Sequence, residues 1–163
     1  MVASRSSSPA TVRNRLAALA GGRRWHEAEA ATADCISHQF ASGSARGRAQ
    51  ALHLRGWVRL QNGQLIGGID DLAAALTLLQ STGDDATYWQ VRSLLADAWL
   101  VLDEEPRAVA MLQAGLAEFP RERDPATHAR LLHQLARAQR SNRESEAVAT
   151  LVSARDEYTE LGW

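Results

Sequence analysis

Apolar and small residues along this chain recur at spacings of three and four. Nothing alternates with period two over enough length to make a β-sheet. Four stretches share one pattern: WHEAEAATADCI (25–36), LIGGIDDLAAAL (65–76), EPRAVAMLQAGL (105–116) and ESEAVATLVSAR (144–155). In each, a small residue is followed four later by a second core residue and three later by another small one. The sets are Ala28, Thr32 and Cys35; Gly68, Leu72 and Ala75; Ala108, Leu112 and Gly115; Ala147, Leu151 and Ala154. Their leading positions lie 40, 40 and 39 residues apart. Spacings of four and three place each triplet on one helical face, and a fixed long period signals a repeat array.

A second helical segment precedes each stretch, at 11–20, 48–60, 87–102 and 126–140. Ser8-Pro9 and Asp124-Pro125 offer an N-cap followed by proline at the first helical position, and Pro106 fits the first turn of its own helix. Gly21-Gly22 and Asn62-Gly63 stop the first helix of their pairs, while ASGSA (41–45), STGDD (81–85) and PRERD (120–124) separate one pair from the next. The pattern predicts an all-α chain: a disordered tail over 1–8, then four antiparallel helix pairs over about 9–44, 46–83, 86–122 and 125–163.

The repeat settles how to read GQLIGGIDDLAAAL (63–76), whose paired glycines and aspartates would otherwise suggest a phosphate loop or a metal site. Neither GxGxxG nor GxxxxGK[ST] is present. Gly68 stands where the other stretches carry Ala28, Ala108 and Ala147, so it is expected inside a helix, where the paired helix comes close. Asp70 and Asp71 then fall in the first turn or two, where the helix dipole favours carboxylates.

Composition narrows the class. The chain has 163 residues, 45% of them hydrophobic and 23% charged, with no apolar run near the roughly 20 residues that cross a bilayer. The N-terminus lacks the apolar stretch of a secretory signal, and Cys35 is the single cysteine, which excludes an intrachain disulfide. These features predict a cytoplasmic protein. All 18 basic residues are arginine, and the balance is +6 over 1–60 against −7 over 61–163. A basic front half could meet acidic surfaces or nucleic acid.

No catalytic, cofactor or metal constellation emerges. HEAEA (26–30) is not HExxH, because Ala30 stands where the second histidine must be. Cys35 and His38 lie three apart, but two ligands make no site, and Cys35 falls at a core position. The serines lack a GxSxG context, and the histidines are scattered through different helices. Trp99 and Trp25 are expected in packing roles; Trp57 lies between core and groove. The expectation is a protein that is not an enzyme and holds no cofactor and no metal.

The helix pairs resemble tetratricopeptide repeats. Arg55-Gly56 then Asn62-Gly63, Leu95-Ala96 with Trp99, Leu135-Ala136, and Phe119-Pro120 sit at that family's leucine-glycine, aromatic and closing-proline positions. The likeness covers about residues 9 to 162. Thr32, Arg55, Arg59 and Gln139 depart from it, and a period near 40 rather than 34 is similar to such regions in bacterial signalling proteins. The resemblance implies a right-handed superhelix, an α-solenoid, with a concave face lined by the first helix of each pair. It also implies an interaction module, regulatory or dimerising, within a signalling protein. The chain stops just after its last helix, in YTELGW, as a fragment would.

The register picks out the groove candidates: Gln50, His53 and Trp57; Gln90, Ser93 and Asp97; and Arg130, His133, Arg137 and Arg140. The last four share one cationic face. No lysine is present, so a lysine-based carboxylate clamp is unsupported, and an acidic peptide or anionic ligand is expected instead. The alternative is a nucleic-acid-associated regulator using its scattered arginines on phosphates. The final helix, carrying Val148, Leu151, Val152 and Tyr158 and followed by Leu161 and Trp163, is expected to leave apolar surface either for a second copy, with Val148, Val152, Leu161 and Trp163 forming the contact, or, in a longer parent protein, for the next segment.

Overall fold

Among the described residues eight helices form where the periodicity places them: α1 (Pro9–Gly21), α2 (Trp25–Ala41), α3 (Ala45–Gln61), α4 (Leu65–Leu79), α5 (Asp85–Val101), α6 (Glu105–Glu118), α7 (Pro125–Gln139) and α8 (Glu144–Glu160). The computed structural model describes residues 9–22, 24–118, 121, 124–140 and 144–162. The tail over 1–8, the Ser8 cap, Phe119-Pro120 and Trp163 lie outside the described residues. No strand occurs among those described.

The 40-residue period extends from the side chains into the backbone. Ser44, Asp84 and Asp124 cap α3, α5 and α7, accepting from the N–H groups of Gly47 at 3.0 Å, Thr87 at 3.3 Å, and Ala126 and Thr127 at 3.1 and 3.2 Å. The other ends match as well. Arg24 N–H donates to the Leu19 carbonyl, Gln64 N–H to Arg59 and Glu104 N–H to Trp99, at 3.0, 2.8 and 2.9 Å, closing the first helix of three successive pairs alike. Gly63 takes φ +76° in this turn, and at the equivalent place Asp103 takes +58°, a left-handed conformation that aspartate tolerates better than most residues.

The chain forms two compact units that divide inside α5, between Val91 and Arg92. In the first, Val12, Leu16 and Leu19 of α1 pack with Ala28 and Cys35 of α2 and Ala51, Leu54 and Val58 of α3. Cys35 is a fully buried thiol whose pKa is raised by desolvation, as a core residue requires. α4 lies against α3 through two glycines. A Cβ on Gly68 would stand 2.7 Å from Leu60 Cδ2 and 3.1 Å from the Gly56 carbonyl oxygen; one on Gly56 would meet Leu72 Cγ at 2.8 Å. Gly68 is therefore a buried contact inside a helix, not part of a ligand loop. In the second unit α7 packs against both α6 and α8.

The four departures from the repeat pattern each have a local partner. Thr32 is fully buried because its hydroxyl donates to the Glu29 carbonyl of its own helix at 2.7 Å. Gln139, 3% exposed, accepts from the Thr150 hydroxyl at 2.9 Å and donates to Glu146 at 3.3 Å. Arg55 grips both oxygens of buried Asp71, at 2.7 and 2.6 Å. Arg59 bridges Asp71 and Glu29, each at 2.9 Å, and Gln64 adds a bond to Glu29 at 3.2 Å. The Arg59 hydrogen bond holds the Glu29 carboxyl below its usual range despite burial, and the Asp71 bonds raise Arg55. Asp71 thus ties α3 to α4, while its neighbour Asp70 is exposed.

The last triplet differs from its siblings. Thr32, Leu72 and Leu112 are fully buried, but Leu151 at the same place is 40% exposed, and Val148 and Val152 beside it are 56% and 42% exposed. Ala147 and Ala154 are buried against the rest of their unit, so the helix is docked on one side and bare on the other. Leu161 is half-buried.

Candidate functional site

In the first unit a cavity of about 330 Å³ opens on the side of the first helices. α1 contributes Arg13 and Leu16, α3 contributes His53, Leu54 and Trp57, and the start of α5 contributes Gln90. Helical spacing aligns these: Arg13 and Leu16 are three apart, His53 and Trp57 four apart. Leu16 and Leu54 are nearly inaccessible, and the Trp57 ring is held edge-on by Trp25, with centroids 6.1 Å apart and planes at 74°. Trp57 therefore belongs to core and cavity at once.

His53 is half-buried, and its pKa falls to about 4. Burial is the main cause and the Arg13 charge adds to it; Asp84 opposes both. Its imidazole is neutral at pH 7. Asp84 is itself committed: it accepts from Gln50 at 2.8 Å, Arg46 at 3.0 Å and Thr87 N–H at 3.3 Å. Burial raises its carboxyl, but these bonds outweigh burial and hold it below the usual range. The structure thus brings His53, Trp57 and Gln90 together at this cavity, while the Gln50 amide donates to Asp84 at the α5 cap. Arg13, Leu16 and Leu54 are additions. α1 is the first helix of the first pair, so the register of His53 shifted back by one 40-residue period would have found Arg13.

In the second unit Arg130, His133 and Arg137 are exposed on α7, and Arg140, its C-cap, is exposed as well. Asp97 of α5 accepts from Gln134 at 3.3 Å and lies 3.7 Å from Arg137. Burial raises the Asp97 carboxyl, against the lowering effect of Arg137 and Gln134. Ser93 is half-buried. Among the described residues no group of three or more His, Cys, Asp or Glu could hold a metal, and no helix is long and apolar enough to cross a membrane.

No protein-family model matches the chain, and no curated protein matches it. Solved structures do. Two crystal structures of a protein described as a kinesin light chain of Podosopora anserina, with nearly identical TPR-like repeats, superpose with TM-scores of 0.79 and 0.77. Each is 20% identical and matches 98% of this chain and 80% of its own. The fold is tetratricopeptide-like. At that identity the likeness is one of architecture, and it joins this chain to an all-α repeat fold built of helix pairs. Tetratricopeptide-like arrays present extended surfaces on which other chains bind.

Proposed function

We propose that this chain is a non-catalytic interaction module that captures an acidic polypeptide segment on the α7 face and serves as a regulatory domain of a bacterial signalling protein. The observation that carries the reading is the row Arg130, His133, Arg137 and Arg140, exposed together along a single helix face. A partly neutralised row of this kind favours an acidic segment by charge complementarity, and steers its approach. The near-40-residue period supports the signalling context. The arginines of the α3–α4 contact, Arg55 and Arg59, are occupied by Asp71 and Glu29 and are poorly placed to take phosphates, which weighs against the nucleic-acid alternative.

The test is capture of synthetic glutamate-rich peptides, compared with glutamine-rich peptides of equal length. Arg140→Glu should weaken capture roughly tenfold, a change of about 1.4 kcal/mol, with melting temperature unchanged. Arg137→Glu should do the same, with a small loss of stability because the new carboxylate faces Asp97. Equal capture of both peptide classes, or capture indifferent to both substitutions, would remove this face from consideration.

A second copy of the chain is the proposed occupant of the bare side of α8. The repeat position of Leu151 is fully covered at Thr32, Leu72 and Leu112, and Leu151 with Val148 and Val152 beside it offers an exposed apolar surface to a partner. A two-fold contact would bring two attached output domains together. Light scattering after size-exclusion chromatography at tens of micromolar should show a dimer in the wild type and a monomer in Val148→Glu/Val152→Glu. A wild type monomeric at every concentration would exclude it.

A further inference from the structure

We infer that the cavity of the first unit binds a small organic acid: a compact apolar body bearing one carboxylate. This inference is independent of the α7 reading, which concerns the other unit. The volume of about 330 Å³ lies at the low end of ligand pockets, which run from roughly 300 to 1,000 Å³, so a nucleotide or a folded segment is too large and an aromatic acid fits. The lining divides by chemistry. Leu16, Leu54 and the Trp57 indole make the apolar part, and Trp25 fixes the orientation of that indole. Arg13, His53 and Gln90 make the polar part.

The charges select the head group. Asp84, the acid that acts on His53, is already engaged by Gln50, Arg46 and the α5 backbone. His53 is uncharged at pH 7 and can donate or accept one hydrogen bond. The uncompensated charge at the cavity is therefore that of Arg13, which is exposed and has no acid paired with it among the described residues. A guanidinium fork binds a carboxylate through two parallel bonds. One cation calls for one carboxylate, and Gln90 supplies an amide beside it. A ligand without charge would leave Arg13 unused; a dianion would bring a second charge against leucine and indole.

The test uses 3-phenylpropionate and its neutral amide, titrated into the full chain labelled with ¹⁵N. The tryptophan indole N–H resonances report binding, and Trp57→Phe assigns the Trp57 signal. The acid should shift that signal saturably, with Kd on the order of 0.1–1 mM, and bind at least fivefold tighter than the amide. Arg13→Gln should weaken the acid roughly tenfold and leave the amide unchanged. Arg15→Gln, an exposed α1 residue outside the lining, should change neither. A Trp57 signal unmoved at about 5 mM acid, at least five times the expected Kd, would overturn the proposal. Equal affinity for acid and amide, or equal losses from Arg13→Gln and Arg15→Gln, would overturn it too.

Discussion

Asp71→Ala should destabilise the protein by about 3 kcal/mol, seen as a lower urea midpoint, while Asp70→Ala next to it should change stability by less than about 0.5 kcal/mol. Asp71 is 5% exposed and gives both carboxylate oxygens to Arg55 and one also to Arg59. Removing it strands two guanidinium groups at the contact of α3 and α4. Breaking a buried pair from one side costs about 3–5 kcal/mol. The low end applies because the two arginine side chains keep 24% and 25% of their exposure and Arg59 retains Glu29. Asp70, exposed and one residue earlier in the same helix, shares the position along the helix dipole without the partners. Equal losses from the two substitutions would mean that Asp71 acts through the dipole and that the ion network contributes nothing.

Between pH 7.5 and 5 the wild type should lose about 2 kcal/mol more stability than His53→Gln. The sign follows from a histidine whose folded pKa is about 4 against 6.5 in the unfolded chain. Above pH 6.5 neither state holds the proton. As pH falls below 6.5, the unfolded chain takes up a proton that the folded protein refuses, so unfolding is favoured, and the loss is complete near pH 4. The cause is the same one that shapes the cavity: burial first, then the adjacent Arg13 charge. Urea titrations of both proteins at several pH values would measure the difference. Parallel losses in the two would show that His53 titrates normally and is solvated.

The eight helices, their pairing and most of their ends were legible from sequence because each rests on local physics. Spacings of four and three define a buried face whatever the neighbour is, and Asp124-Pro125 or Asn62-Gly63 limit a helix through the backbone they impose. Even the Gly68 contact could be inferred, because a glycine that replaces a repeated alanine needs only a close neighbour to explain it. The roles of the charged residues were not legible. Arg55 and Arg59 read as misplaced polar groups until α4 brought Asp71, and α2 brought Glu29, within 3 Å of them. The bond from Gln50 to Asp84 at the α5 cap was not legible either, nor was how far Leu151, at the repeat's core position, would stay exposed. By itself the sequence determined an all-α repeat with a 40-residue period, since periodicity and capping act over one or two turns of helix. Only the tertiary structure decided which charges are used up inside the fold and which, such as Arg13, face a cavity. That choice depends on which side chains meet across helices 12 to 40 residues apart, a distance over which no local pattern carries information.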